Sequence, residues 1–165
     1  DIEIGKEHGR AYSFRFNYGM LHNKKRILNL YLSLITVGTP TFRHSSYSNF
    51  VNGYKPLGWE YGSDGVEKNL GLSYFLIDKF LINLLIGFVN SGEETILNNP
   101  YRTYSDYQKG KFPSGNTTKI FYFKTYIALK FLKKTEISVN NKICVNKFED
   151  IMEIRFNYNF DTLSK

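Results

Sequence analysis

Apolar and polar residues alternate strictly near the end of the chain, from Ile151 to Phe160. The apolar positions are Met152, Ile154, Phe156, Tyr158 and Phe160, and the polar positions between them are Glu153, Arg155, Asn157 and Asn159. A period of two is typical of a β-strand with one apolar and one polar face. This segment therefore predicts a strand, and a tilted strand of about 9–11 residues is long enough to cross a lipid bilayer.

The same alternation recurs upstream and predicts six further strands. They cover Ala11–Gly19, the region of Leu28 to Leu34, Glu67–Ile77, Phe80–Asn90, Ile120–Leu132 and Glu136–Val145. The run from Leu70 to Val89 is also long enough for a membrane helix, but Asp78 and Lys79 would then lie mid-span. Each would cost about 2.5–3.5 kcal/mol there. A tight hairpin at Asp78-Lys79 is therefore favoured.

The connections between these strands differ systematically in length. The turns at His22–Arg26, Asp78-Lys79 and Lys133–Thr135 are short, Gly38–Gly65 and Ser91–Lys119 are long, and Asn146–Asp150 is of medium length. Transmembrane barrels have short periplasmic turns and long extracellular loops. We therefore predict an all-β fold, an antiparallel transmembrane β-barrel with two long extracellular loops, of which this chain forms the C-terminal seven or so strands.

This prediction has consequences for domain organisation. Bacterial barrels have even strand numbers from about 8 upward, so further strands are expected upstream of Asp1. Residues 1–160 are predicted to form the C-terminal portion of one barrel domain, followed by a short tail, 161–165. The main alternative fold is a soluble β-sandwich, whose strands usually have about 5–6 residues, fewer than the strands predicted here. Large aromatic residues also lie near the ends of the predicted strands, as they do where the strands of a membrane barrel cross the membrane–water interface.

The charge and the cysteine and histidine content of the chain limit the functions that it could have. The net charge of +7 favours acidic partners such as lipopolysaccharide or an anionic polysaccharide. Nucleic acid is not expected, because the basic residues are scattered over strands and turns. The single cysteine, Cys144, excludes an internal disulfide framework, and the three dispersed histidines lack metal-ligand spacing. We expect no cofactor, no metal and no enzymatic activity, since no catalytic motif occurs.

The first long loop combines aromatic residues with charged and polar ones. Aromatic faces can stack on the C–H face of a sugar ring while polar groups bond its hydroxyls. The candidate polysaccharide-binding residues are Arg43, His44, Tyr47, Tyr54, Trp59 and Asp64. The alternative is that the tyrosines and Trp59 only pack the loop against the sheet.

The order of residues in this loop resembles a known family. The motifs are Arg43-His44, Tyr47, Asn52-Gly53-Tyr54, Pro56-Leu57-Gly58 and Gly62-Ser63-Asp64. They resemble a segment of the capsule-assembly Wzi family of outer-membrane proteins. The resemblance implies a barrel with extra helices in the bacterial outer membrane that acts as a surface lectin and holds capsular polysaccharide or exopolysaccharide. Outer-membrane lipid, lipopolysaccharide and the barrel-assembly machinery are the further partners implied.

A second set of candidates lies on the predicted lumen face. The basic residues there are Arg15, Lys124, Lys130 and Arg155, with Glu153 as a possible counter-ion. A basic lumen attracts anions, which leaves open a porin or transporter barrel passing small anions. An outer-membrane hydrolase is a third hypothesis, with His44 beside Ser45 or Ser46, or the pair Glu60 and Asp64, as its candidate groups.

Overall fold

The protein is described from a computed structural model. The structure describes residues 10–23, 25–43, 51–52, 55–77, 79–97, 111–132, 135–145 and 151–158. Within these ranges all regular structure is β. The strands are β1 Ala11–Asn23, β2 Arg26–Val37, β3 Val51–Asn52, β4 Lys55–Pro56, β5 Gly65–Leu76, β6 Phe80–Ser91, β7 Thr118–Leu132, β8 Thr135–Cys144 and β9 Ile151–Tyr158.

Seven strands form one sheet in the order β1-β2-β5-β6-β7-β8-β9, and β3 and β4 pair separately. Consecutive strands run antiparallel, as the pairings of Lys124 with Lys142 and of Ser138 with Arg155 illustrate. The prediction of an all-β antiparallel fold is therefore confirmed. Strands β1 and β9 occupy the two edges of the sheet within the described part of the chain.

The seven long strands lie where the alternation predicts them, although their bounds differ by up to four residues, and the pair β3–β4 lies inside the predicted loop Gly38–Gly65. The first strand is predicted to end at Gly19 before a turn from His22 to Arg26, whereas β1 continues to Asn23 and β2 begins at Arg26. Backbone pairing extends the hairpin here although the apolar alternation stops at Gly19-Met20-Leu21. A strand ladder depends on N–H and C=O groups, which every residue except proline supplies in full.

Exposure alternates along β2 and along parts of β5, β6 and β7, with the apolar positions exposed, whereas β1 is exposed at every residue from Ala11 to Met20. Apolar side chains are exposed on one face, for example Leu32 at 54% and Leu70 at 50% of their maximal area. The opposite face holds the buried positions, including Glu67 at 7%, Tyr122 at 1% and Ser138 at 3%. The sheet therefore buries polar groups such as Glu67 and Ser138 together with apolar ones such as Val89 and Ala128, and it exposes leucine and aromatic side chains on the other face.

Two glycines allow tyrosine rings to lie against the backbone of a neighbouring strand. A Cβ at Gly71 would lie 2.0 Å from Cζ of Tyr31, and one at Gly87 would lie 2.1 Å from Cζ of Tyr122. Neither position can hold a side chain unless the ring moves. An aromatic ring covering a strand glycine also helps to fix the register of the two strands.

The chain divides into two compact units. The first takes its described residues from Asp1–Arg15, Ser33–Lys68 and Phe88–Ile120, and the second from Phe16–Leu32, Asn69–Gly87 and Phe121–Lys165. The described parts of both long connections belong to the first unit. In the second unit the backbone N–H of Ile77 donates to Lys25 at 3.0 Å, and that of Lys130 donates to Lys79 at 2.8 Å.

Candidate functional site

The side chain of Asp64 is the centre of the first unit. Asp64 is fully buried and has a left-handed backbone conformation, with φ of 60°. Aspartate tolerates this region better than most residues because its short polar side chain bonds nearby groups. Its Oδ1 accepts from Thr39 Oγ1 at 2.9 Å and from the Ser114 N–H at 3.1 Å, and its Oδ2 accepts from the Glu94 N–H at 3.2 Å and from Ser114 Oγ. These donors compensate for the burial of the carboxylate.

Backbone hydrogen bonds reinforce this junction. The Gly92 N–H donates to the carbonyl of Asp64 at 2.7 Å, and the Glu93 N–H donates to the carbonyl of Ser114 at 3.1 Å. A Cβ at Gly92 would lie 2.0 Å from Asp64 Oδ2, so the close approach requires glycine. The segments before β5, after β6 and before β7 are therefore fixed to one another.

Arg43 adds a further link between the two long connections. Its Nε donates to the carbonyl of Thr39 at 2.9 Å, and one of its terminal nitrogens donates to the carbonyl of Glu94. The side chain is half-buried. Arg43 thus holds the segment after β2 against the segment after β6.

Trp59 lies inside the loop instead of on its surface. It is 8% exposed, and its indole N–H donates to Oε2 of Glu67 at 2.6 Å. Its ring makes an edge contact with Tyr61, with centroids 5.3 Å apart, and covers Gly65, whose Cβ would lie 2.6 Å from the ring. Glu67 was missed in the sequence because nothing marks it as the acceptor for a tryptophan in the preceding loop.

The structure brings three of the predicted loop residues, Arg43, Trp59 and Asp64, into the same unit. His44, Tyr47 and Tyr54 lie outside the described residues. The burial of Trp59 and Asp64 gives both a role in holding the loop together. Their predicted contact with polysaccharide stays a prediction.

A basic cluster surrounds Tyr122 in the second unit. The Tyr122 hydroxyl donates to Oδ1 of Asn69 at 2.8 Å. The ammonium nitrogens of Lys124 and Lys142 lie 5.0 and 5.3 Å from the centroid of its ring. These distances are within the range of a cation–π interaction, about 6 Å. Lys124 and Lys142 are also directly opposite each other in the pairing of β7 with β8, a position where like charges destabilise the strand pair.

The predicted lumen residues are distributed over both units. Lys124 belongs to the Tyr122 cluster together with Lys142, which the sequence did not single out because the register of β7 and β8 cannot be derived from alternation alone. Lys130 is exposed near the end of β7, and Arg155 in β9 is opposite Ser138. Arg15 is an exposed residue of β1 in the first unit.

Comparison with family models, with curated proteins and with solved structures found no match. In the described part of the chain, no helix is long and apolar enough to cross a membrane. Over the same residues, no group of three or more histidine, cysteine, aspartate or glutamate side chains has an arrangement that could hold a metal ion. The candidate sites are thus defined by hydrogen bonds, aromatic rings and lysine side chains.

Proposed function

We propose that this chain forms part of the wall of a bacterial outer-membrane β-barrel that binds polysaccharide and anchors it at the cell surface. The observation that carries the proposal is the exposure of the apolar face of the sheet. Leu32, Phe14 and Leu70 are 54%, 66% and 50% exposed, whereas Glu67 and Ser138 are 7% and 3% exposed. Water disfavours such a surface, but the acyl chains of a bilayer do not.

The lengths of the strands support the same proposal. Strands β1, β2, β5 and β6 have 13, 12, 12 and 12 residues, and β7 has 15. A tilted strand that spans a bilayer needs about 9–11 residues, whereas a typical strand of a globular protein has about 5–6. Each of these strands is long enough to span the membrane and to extend beyond it.

The polysaccharide-binding role rests on the first unit and on the resemblance to the capsule-assembly Wzi family. Asp64 and Arg43 hold parts of both long connections together, so the loops can present a preformed surface. Preformed loops bind with a smaller loss of conformational entropy than flexible ones. The net charge of +7 suits an anionic polysaccharide.

Retention of polysaccharide on cells tests this role. We expect Arg43→Ala to reduce the amount of capsular polysaccharide or exopolysaccharide held at the surface, while the protein still inserts. Insertion is measured separately, as heat-modifiable mobility in gel electrophoresis of outer-membrane fractions. Lys25→Ala is the matched control, because it removes an exposed basic residue at a short turn of the other unit. Equal retention by wild type and both variants would refute the loop assignment.

The lysines beside Tyr122 support a second candidate, a barrel that passes small anions. Lys124 and Lys142 lie on the polar face, which would face the lumen of a barrel. Conductance in planar bilayers distinguishes this function from anchoring. Transport is supported if the protein conducts ions and the double variant Lys124→Glu, Lys142→Glu shifts its selectivity from anions towards cations. Transport is excluded if the protein shows no conductance.

A further inference from the structure

The second unit contains a cavity of about 140 Å³ beside the short turn between β5 and β6. Aromatic side chains line much of it, namely Phe75, Phe80 and Tyr126, and Ala128 contributes a methyl group. Phe80 is positioned by Tyr74, whose ring centroid lies 5.6 Å away at an interplanar angle of 42°. The cavity is half open to solvent and presents a mainly apolar surface.

The rest of the lining consists of Leu81 and two lysines, Lys79 and Lys130. The backbone N–H of Lys130 donates to the carbonyl of Lys79 at 2.8 Å, which holds the two residues side by side. The pairing of β7 with β8 is irregular between Lys130 and Leu132. Irregularities of this kind redirect side chains and occur often beside binding sites.

Both lysines are exposed residues of the lining. Two positive charges held at one apolar cavity favour a ligand that brings negative charge to the same place. Lys130 is near the end of β7, whereas Lys79 lies in the turn between β5 and β6. The lining thus combines an apolar part for a hydrophobic body and a cationic part for an anionic group.

We propose that this cavity binds a small aromatic carboxylate, with the ring against Phe75, Phe80 and Tyr126 and the carboxylate at Lys79 and Lys130. The volume suits a single ring, since an apolar cavity of about 150 Å³ accepts benzene. This site is separate from the proposed polysaccharide surface, because all of its lining residues belong to the second unit. The inference therefore does not depend on what the loops bind.

The test uses the full chain in detergent micelles with 4-fluorobenzoate as the probe, followed by fluorine NMR. We expect saturable binding in the millimolar range. The neutral analogue 4-fluorobenzyl alcohol should bind at least fivefold more weakly, and acetate should not displace the probe. Equal affinities for the acid and the alcohol, or displacement by acetate, would overturn the proposal, as would the absence of saturable binding.

Variants assign the binding to this cavity. Lys79→Gln and Lys130→Gln should each weaken binding of 4-fluorobenzoate about two- to fivefold, as expected for loss of one exposed charged partner, and leave binding of the alcohol unchanged. Ala128→Leu should abolish binding of both compounds by filling the cavity. Lys55→Gln, which removes an exposed lysine of the first unit, is the control and should match wild type. Unchanged affinity in both lysine variants of the cavity would refute the assignment. Because both lysines are exposed, these variants are expected to fold, so the test does not depend on whether Ala128→Leu folds.

Discussion

The carboxylate of Asp64 accepts a hydrogen bond from the backbone N–H of Ser114, fifty positions further along the chain, at 3.1 Å. Asp64 precedes β5 and Ser114 precedes β7, so a single side chain joins the two long connections of the sheet. Thr39 Oγ1 and the Glu94 N–H bond the same carboxylate. The arrangement of these loops therefore depends on one buried negative charge.

Replacing this charge should loosen the loops. Asp64→Asn keeps the size of the side chain and tolerates the left-handed backbone, but its amide nitrogen would replace an oxygen that now accepts from N–H donors. We expect the free energy of unfolding to fall by about 2–3 kcal/mol, the cost of losing hydrogen bonds to a buried charge. Urea unfolding in detergent micelles measures this loss.

Ser114→Ala provides the matched comparison for Asp64→Asn. It removes the hydroxyl that donates to Oδ2 of Asp64 and keeps the backbone N–H. The expected loss is smaller, about 1 kcal/mol. If Asp64→Asn were as stable as wild type, the carboxylate would not be what joins the loops.

The close contact of Gly87 with Tyr122 predicts that adding a single methyl group at Gly87 destabilises the protein. Gly87→Ala would place Cβ 2.1 Å from Cζ of the Tyr122 ring, so we expect a loss of about 1–3 kcal/mol through overpacking. Gly19→Ala is the control, because no atom lies within 4 Å of its Cβ position. It should leave stability unchanged or raise it by up to about 1 kcal/mol. A Gly87→Ala protein as stable as Gly19→Ala would contradict the packing of the Tyr122 ring.

The hydrogen bond between Trp59 and Glu67 can be followed directly, since Trp59 is the only tryptophan of the chain. Glu67→Leu leaves the buried indole N–H without this acceptor, and we expect a loss of about 1–3 kcal/mol. Acrylamide should also quench Trp59 fluorescence more strongly in this variant than in wild type. Glu67→Gln retains an acceptor oxygen, so its stability and its fluorescence quenching should lie between those of wild type and Glu67→Leu. Identical quenching in all three proteins would show that Glu67 does not hold the indole ring.

The exposed apolar face predicts a difference between two arginine substitutions in the second unit. Leu32→Arg places a charge on that face, where a lipid-facing arginine near the bilayer midplane costs about 2–4 kcal/mol. Asn140→Arg places one at an exposed position on the polar face and should be tolerated. Folding into lipid vesicles, monitored by protection from protease, should fail or slow for Leu32→Arg alone. Equal folding of the two variants would argue against a lipid-facing sheet.

Alternation was enough to predict the seven long strands, because successive side chains of a strand point to opposite faces regardless of the residues on the neighbouring strand. The pattern predicts that neighbouring residues differ in exposure, and they do: Leu70 is exposed and Gly71 is buried. In the same way, Phe121 is exposed and Tyr122 is buried. What alternation could not provide is register. The pairing of Lys124 with Lys142 depends on how two strands align, which local sequence specifies only weakly.

The contacts inside the long loops could be predicted less well than the strands. Trp59 and Asp64 stood out by residue type, but aromatic and carboxylate side chains in a loop suit either ligand binding or internal packing. The deciding partners, Glu67 and Ser114, are ordinary residues whose importance comes from long-range contacts. Sequence composition could therefore identify the loop as special without distinguishing its exposed groups from its internal ones.

The strand order also has a consequence for how the sheet folds. Each strand of the large sheet pairs with the strand that follows it among β1, β2, β5, β6, β7, β8 and β9. Assembly can proceed by adding one hairpin at a time, without threading a strand between two that have already paired. The long connections are tolerated in stability, because each doubling of loop length costs only about 0.6 kcal/mol of closure free energy. Large insertions between β2 and β5 or between β6 and β7 are thus compatible with sequential growth of the sheet.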